Sequence, residues 1–428
     1  MKKNMKFKLI LFIILSIIVI CLFIFFNKKE VNNPSENPNI DNPSDNPNID
    51  NPDEEDTPDE VGTSYLNDIK YTVKVDQEVE NVIVEFLNVY YNAIKELKEN
   101  DMTYLFKDSS SEQALINQTA LSLLIETRKL KPNDLSLDKA KYDLNFTEVS
   151  SSGNTVTVTV LENNYLNFEF MKDIESKIYN IENEFTLEKI DGKYKITKYN
   201  KVQDFFVMIT DLYNGGGKTK LNQIKQDYLD LINEKLVKDK EDYNNFLNGI
   251  GITRKTCDHE YNREEALKQT VWVNKRNSEW LKFDSNCQNF ASYVVHSGGV
   301  PMDYYGSASN YLQWKGYDYS YNESETASGL VYTWTYVPYF REYAKNNTGY
   351  GLCADVDVNI YYAEAGDVIH VGTTGPTRHA LVVIGDYKVD GKTVDILVNS
   401  NTVDLENYPI SAYSYPYVSL IKIYGWNE

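Results

Sequence analysis

Few of the residues that build disulfide scaffolds and metal centres occur in this sequence, which has only four Cys and four His among 428 residues. Numbers this small exclude a disulfide-stapled scaffold and argue against a protein with several zinc sites. Neither C-x-x-C nor H-x-x-x-H spacing occurs, so we expect no metal and no cofactor. Basic residues are also scarce, because 43 Lys and Arg stand against 63 Asp and Glu and the net charge is −20. Nucleic-acid binding needs a basic surface, so we expect no nucleic-acid partner.

The N-terminus, residues 1–29, carries six Lys and no acidic residue. An almost unbroken apolar run, residues 9–26, lies between these lysines and is long enough to cross a bilayer as a helix. Its length, and the lack of a small-residue cleavage site after it, favour a signal anchor over a cleaved signal peptide. The longer basic cluster precedes the run, which predicts a single-pass membrane protein with most of the chain outside the cell.

Residues 30–62 contain eleven acidic residues, no basic residue and no aromatic residue. A nine-residue unit, NPSENPNID, repeats there as NPSDNPNID. Such a segment cannot bury enough apolar surface to offset the entropy of ordering, and its charges repel one another. The composition therefore predicts a disordered, extended stalk.

The next segment, residues 63–205, is predicted to form an α+β domain of two helices followed by antiparallel strands. Asp76 is a suitable cap for the first helix, and the second helix covers about residues 111–129. Alternating apolar residues further along predict strands, and Asp191-Gly192 predicts a tight hairpin turn. The order of elements resembles the cystatin-like and nuclear-transport-factor-like folds, which implies a binding or spacing domain.

Residues 206–257 are predicted to be a helical connector, since a triple glycine is followed by a charged helix with one apolar stripe. An oligomerisation seam is the alternative interpretation of that stripe. Because the connector separates residues 63–205 from residues 258–428, we expect these two segments to fold independently.

The segment around Cys287 predicts a helix whose first turn contains this cysteine. Three good N-cap residues precede it, and two glycines follow the last apolar residue. Backbone N–H groups and the helix dipole lower the pKa of a thiol in such a position and favour the thiolate nucleophile. A buried and inert cysteine is the alternative.

A cysteine nucleophile needs a base, and His379 is the best placed because it opens an apolar strand after a turn-rich loop. His370 closes the preceding short strand and is interpreted as an ordinary strand residue. A returning strand brings Asn399 and Asn401 back towards the start of the histidine strand. Either Asn can accept the imidazole N–H and fix its tautomer.

These motifs resemble the amidase domain family of Gram-positive bacteria, within the papain-like group that includes the NlpC-type and CHAP cell-wall hydrolases. The resemblance covers most of residues 261–425. It rests on Tyr261-Asn262-Arg263, Ala266, Asn277, Trp280, Cys287-Gln288-Asn289-Phe290-Ala291-Ser292, Gly298-Gly299-Val300-Pro301-Met302, Trp334, Val337, Gly366-Asp367 and His379-Ala380.

The resemblance implies a papain-like α+β domain in which a helix carrying Cys287 packs on an antiparallel sheet carrying His379. It gives Cys287 the position of the nucleophile and His379 that of the base. Three positions depart from the family pattern: Asn286 and Tyr293 stand where Asp and Gln are usual, and Asn401 lies where His is typical.

Together these features predict a membrane-anchored cysteine amidase that cleaves amide or peptide bonds outside the cytoplasm through a thioester on Cys287. Peptidoglycan is the expected substrate, by family resemblance and topology rather than by any single residue. Two alternatives stay open: a catalytically idle surface binding or adhesion protein, and an acyltransferase that uses the same thioester. Cys257 and Cys353 could form a disulfide outside the cell.

Overall fold

The computed structural model describes residues 64–201, 204–251, 254–270, 283–307, 310–316, 331–402 and 404–428. The predicted anchor at residues 9–26 and the predicted stalk at residues 30–62 therefore lie outside the described residues. Within the described ranges, no helix is both long enough and apolar enough to cross a bilayer.

Two helices and five strands make up the first part of the described chain. The helices begin where the sequence predicts, because Asp76 accepts a hydrogen bond from the N–H of Glu78 and Ser111 accepts one from Ala114. The elements are β1 (Leu66–Tyr71), α1 (Gln77–Glu96), α2 (Glu112–Leu130), β2 (Leu137–Ser152), β3 (Thr155–Phe168), β4 (Ser176–Ile190) and β5 (Lys193–Lys201).

Strict alternation of buried and half-buried residues along β3 places one face of this curved sheet on the two helices. The hairpin from β4 to β5 turns at Asp191 and Gly192, whose φ angles of 48° and 82° suit the tight turn predicted there.

Two further helices, α3 (Asp204–Leu212) and α4 (Gly217–Leu247), form the predicted connector. The first part of the apolar stripe of α4 is covered by the chain itself, since Leu221 and Ile224 are buried, whereas Val237 further along is exposed. Lys225 on α4 forms an ion pair with Glu126 of α2 at 2.7 Å, and the Tyr228 hydroxyl donates to the carbonyl of Ser414. The helix therefore contacts both the first and the last part of the described chain.

The described residues of the C-terminal part form four helices and seven strands. These are β6 (His259–Glu260), α5 (Arg263–Thr270), α6 (Cys287–Ser297), α7 (Tyr332–Thr335), α8 (Val337–Asn346), β7 (Gly351–Val358), β8 (Val368–Gly372), β9 (His379–Val389), β10 (Lys392–Ser400), β11 (Asp404–Pro409) and β12 (Tyr417–Asn427).

All the described strands belong to one mixed sheet of twelve strands, ordered β1-β2-β3-β4-β11-β10-β9-β8-β12-β6, with β5 beside β4 and β7 beside β12. The strands of the first part and those of the C-terminal part meet at the start of β4. β5 pairs with β4 only from Asn183 onwards, so the edge of β4 before Asn183 is open to another strand. β11 fills that edge, with Leu405 opposite Ile178. The two segments that the sequence predicts to fold independently thus share a sheet, and Val61–Glu428 is one compact unit.

The two faces of the sheet around β8, β9 and β10 belong to different cores. Leu381 and Val383 of β9 join the large core that also holds α1, α2 and α4. Ala380 and Val382, on the other face, pack with α6 and α8 in a second core. The helix that carries Cys287 therefore lies on the Ala380 face of β9.

Candidate active site

Cys287 is the first residue of α6, as the sequence predicts. The residue before it, Asn286, is buried and ties the start of the helix to the end of β10. Its side-chain amide donates to Oδ1 of Asn401 at 2.7 Å, and its backbone N–H donates to Oγ1 of Thr402 at 2.7 Å. These contacts, rather than an N-cap hydrogen bond, fix where α6 begins.

The thiol of Cys287 is reduced and only 5% exposed. Burial raises its pKa above the ordinary value, and hydrogen bonds from the backbone N–H groups of Ala380, Gln288 and Cys287 itself only partly oppose this rise. The prediction of a lowered pKa was therefore wrong. The start of α6 does offer N–H groups, but the cost of removing a thiolate from water outweighs them here.

His379 is the first residue of β9, and its ring is partly buried. Burial, together with the neighbouring Arg378, lowers the pKa of His379 to about 4, so the ring is neutral at neutral pH. The next residue, Ala380, hydrogen-bonds the Cys287 sulfur through its backbone N–H, and this brings the sulfur to the start of β9. No hydrogen bond joins the His379 ring to any residue that the structure describes.

The two predicted orienting residues are buried and are engaged elsewhere. Asn399 donates to the carbonyl of Thr270 at 2.8 Å and accepts from the N–H of Asn407 at 2.9 Å. Asn401 accepts from Asn286 and donates to Oδ1 of Asp404 at 2.6 Å. Asn401 thus lies beside the nucleophile's helix, and its role as orienter of the imidazole stays a prediction.

A second histidine, His370, lies next to the first turn of α6, although its position in the sequence indicated an ordinary strand residue. It is fully buried on β8, and its Nε2 is 2.8 Å from Oε1 of Gln288, the residue after Cys287. Burial lowers its pKa to about 3, with smaller effects from Arg341 and His379. One sequence signal could have placed His370 near His379. The short connection between β8 and β9 predicts a hairpin, and a hairpin brings the end of β8 beside the start of β9.

Two other residues that carry the family resemblance, Arg263 and Asp367, belong to an ion cluster with Lys422. Asp367 is fully buried, and its carboxylate lies 2.9 Å from Nη1 of Arg263 and 3.1 Å from Nζ of Lys422. The Tyr261 hydroxyl donates to the carbonyl of Gly366 at 3.1 Å. These residues link α5 to β12 and to the turn before β8, so their part in the motif is to hold the fold.

Cys257 and Cys353 form a disulfide, with Cα atoms 6.1 Å apart, which confirms a pairing that the sequence had left open. Among the described residues, no group of three or more His, Cys, Asp or Glu side chains is arranged to hold a metal ion.

Comparison with known proteins gives a match for the C-terminal part. Residues 260–425 match the family model described as "Putative amidase domain". No curated protein matches the chain at a significant level.

Solved structures similar to this chain cover about a third of it. The intermembrane space region of the chloroplast protein ARC6 is 16% identical, covers 31% of this chain and 100% of its own, and has a TM-score of 0.22. An NTF2-like protein of unknown function from Shewanella baltica OS155 is 13% identical, covers 31% of this chain and 100% of its own, and has a TM-score of 0.18. Scores this low carry no argument about function.

The family match thus falls on the segment that holds Cys287 and His379. An amidase domain implies hydrolysis of a carbon–nitrogen bond in a peptide or amide substrate. Residues 260–425 of this chain therefore form an amidase-like domain.

Proposed function

We propose that this protein is a cysteine amidase in which Cys287 is the nucleophile and His379 is the general base. The observation that carries the proposal is the hydrogen bond from the Ala380 N–H to the Cys287 sulfur, because it joins the first turn of α6 to the residue that follows His379. A helix N-terminus that presents a cysteine to a histidine-bearing strand is the arrangement that thiol acyl transfer needs.

The reaction begins from a neutral thiol and a neutral imidazole, since the pKa of Cys287 is raised and that of His379 is about 4. His379 removes the thiol proton as the sulfur attacks the amide carbonyl. The tetrahedral oxyanion accepts a hydrogen bond from the backbone N–H of Cys287, at the start of α6. Collapse breaks the C–N bond, and His379 passes its proton to the leaving amine. Water activated by His379 then hydrolyses the thioester and frees the thiol.

Peptidoglycan is the proposed substrate, and the proposed location is the outer face of the cell membrane. The support comes from the sequence: an apolar run at residues 9–26 that can anchor the chain, followed by the acidic stalk at residues 30–62. In this arrangement the amidase-like domain is held outside the membrane, where cell-wall amide bonds are within reach.

One observation favours a second candidate, a surface binding protein with an idle amidase-like domain. Cys287 is 5% exposed, and burial raises its pKa. An inert structural cysteine has these same properties.

Mass spectrometry of fragments released from peptidoglycan by the purified full chain tests the proposal. We expect new amine and carboxyl ends from one type of amide bond. Cys287→Ala should abolish their release, and Cys21→Ala, which alters the cysteine of the predicted anchor, should leave it unchanged. Release that persists in Cys287→Ala would overturn the cysteine mechanism. No release by the parent chain would favour the binding protein.

A further inference from the structure

An exposed group of tyrosines lies where α7 meets α8. Tyr332 on α7 is 72% exposed, and Tyr336, which connects the two helices, is 54% exposed. Both rings contact the half-buried ring of Tyr339, with centroids 6.0 and 5.2 Å apart. Tyr339 in turn stacks on Tyr311, with centroids 4.4 Å apart and an angle of 14° between the planes. We call these four residues the tyrosine surface.

Buried contacts hold the tyrosine surface against the helix of the nucleophile. Trp334 lies between the two exposed tyrosines in the sequence, and its Nε1 donates to Oδ1 of Asn289 at 2.9 Å. Its carbonyl oxygen accepts from Oγ of Ser292 at 2.8 Å. Asn289 and Ser292 both belong to α6. The backbone of α7 is therefore fixed, and little ordering is needed before its exposed rings bind a ligand.

The tyrosine surface also lies close to the candidate active site. The N–H of Phe340 donates to the carbonyl of Tyr336 at 3.0 Å, so these two residues are one helical turn apart. Phe340 packs on the ring of His370, with centroids 5.9 Å apart, and His370 contacts Gln288 at 2.8 Å. Gln288 follows Cys287 directly. A polymeric substrate whose amide bond lies at Cys287 is thus long enough to reach the tyrosine surface.

The tyrosine surface is uncharged, although the chain as a whole is not. Residues 310–314 and 331–340 contain no acidic or basic side chain, whereas 25% of all residues are charged and the net charge is −20. The next charged residue, Arg341, forms an ion pair with Asp357. A ligand recognised through its charges would find no partner here, so the surface is complementary to a neutral ligand.

Neutral sugar rings have the chemistry that this surface can recognise. One face of a pyranose ring presents C–H groups, which pack on the electron-rich face of an aromatic side chain. Tyrosine hydroxyls can both donate to and accept from the hydroxyl and acetamido groups of an amino sugar. Exposed aromatic patches mark binding sites, and tyrosine is among the residues that contribute most to binding.

We propose that the tyrosine surface binds the glycan strand of peptidoglycan, with sugar rings stacked on Tyr332 and Tyr336. The strand carries the peptides whose amide bonds are cleaved, so binding the strand presents such a bond to Cys287. This inference rests on the proposed function and names the polysaccharide as the part of the substrate that is held beside the reacting bond.

Binding of a hexamer of β-1,4-linked N-acetylglucosamine to the full chain, measured by isothermal titration calorimetry, tests the proposal. We expect the parent chain to bind the hexamer, and Tyr332→Ala and Tyr336→Ala each to raise the Kd about tenfold. Tyr332→Phe and Tyr336→Phe keep the ring and should lose less affinity than the alanine variants. Tyr71→Ala, which removes an exposed tyrosine of β1, is the matched control and should bind like the parent.

A parent chain that does not bind the hexamer, or alanine variants that bind it as tightly as the parent, would overturn the proposal. Binding of a sugar-free stem peptide instead of the hexamer, with loss of that binding in Tyr336→Ala, would overturn it too, because the surface would then belong to the peptide. The hexamer contains no peptide, and Cys287→Ala should bind it like the parent. A failure of the proposed amidase activity would therefore leave this result interpretable.

A second measurement uses only the parent chain and covers the case in which a variant does not fold. Exposed tyrosines are nitrated with tetranitromethane in the presence and absence of the hexamer, and the modified peptides are identified by mass. The hexamer should slow the nitration of Tyr332 and Tyr336 and leave that of Tyr71 unchanged. Equal nitration of Tyr332 and Tyr336 with and without the hexamer would overturn the proposal.

Discussion

At the scale of single residues, burial sets the protonation of the groups around the start of α6. It raises the pKa of Cys287 and lowers those of His370 and His379 to about 3 and about 4. All three groups are therefore neutral at neutral pH. A thiolate–imidazolium pair is not the resting state, and proton transfer belongs to the step in which the sulfur attacks.

The two histidines make acid unfolding predictable. Their folded-state pKa values lie below the ordinary value of 6.5, so both rings take up protons on unfolding. Stability is fully present above 6.5 and is lost as the pH falls towards about 4, by about 1.4 kcal/mol per pH unit for each proton. We expect His370→Gln to reduce this slope by one proton, measured as the free energy of urea unfolding against pH.

Asp395 acts in the opposite sense. It is buried between Asn133 and Ser411, and burial raises its pKa to about 6. Its stabilising effect is present below the ordinary value of 3.8 and is lost as the pH rises through about 6. Asp395→Asn removes this opposing effect, so the loss of stability caused by the histidines should become steeper as the pH falls from about 6 to 3.8. An unchanged slope in both Asp395→Asn and His370→Gln would contradict the assignment of these pKa values.

At the scale of elements, the start of α6 depends on the end of β10. Asn401 joins them, because it accepts from Asn286 and donates to Asp404. Asn401→Ala leaves a buried amide and a buried carboxylate without this partner, and should lower the free energy of unfolding by about 1–3 kcal/mol. It should lower the rate of amide cleavage less than Cys287→Ala or His379→Ala does, because Asn401 does not contact the reacting atoms.

Asn399→Ala is the matched control for that prediction. It removes a buried asparagine of the same strand that bonds to Thr270 and Asn407 and not to Asn286. Both variants should lose stability, and only Asn401→Ala should change the rate of Cys287 alkylation. Equal alkylation rates in the two variants would separate Asn401 from the active site.

The ion cluster that links α5 to β12 gives a prediction for stability alone. Arg263→Met removes one of the two cations beside the fully buried Asp367. Removing one partner of a buried ion pair costs about 3–5 kcal/mol. Chemical unfolding should show this loss, and the double variant Arg263→Met with Asp367→Leu should recover part of it. A loss below about 1 kcal/mol would mean that the cluster is effectively solvated.

At the scale of the whole molecule, the shared sheet couples the two parts of the chain. All five Trp residues lie in the C-terminal part, at positions 272, 280, 314, 334 and 426, so tryptophan fluorescence reports on that part only. Phe185→Ala opens a cavity in the first core and should cost about 3–5 kcal/mol. Because β4 pairs with β11, we expect the tryptophan-monitored transition to shift with it. A transition that does not move would favour independent folding.

Local signals allowed much of this structure to be predicted from the sequence. The caps at Asp76 and Ser111, the turn at Asp191 and the position of Cys287 in the first turn of a helix all depend on neighbouring residues. Non-local features could not be predicted in this way. The pairing of β11 with β4 depends on the register of distant strands. The partners of Asn401 and the contact of His370 with Gln288 depend on how α6 packs against the sheet.

The burial of Cys287 belongs to the same non-local class. Its place at a helix start was visible in the sequence, but the packing of α6 against β9, which raises the thiol pKa, was not. A local rule about helix N-termini gave the wrong direction for this pKa because it assumed an accessible thiol.

The most direct test of the central claim is the mass of the Cys287 peptide after the full chain has been mixed with peptidoglycan fragments and quenched in acid. The account predicts that this peptide gains the mass of an acyl group, that hydroxylamine removes it, and that His379→Ala prevents its formation. Amide cleavage without any acyl adduct on Cys287, or an equal adduct in His379→Ala, would contradict the account.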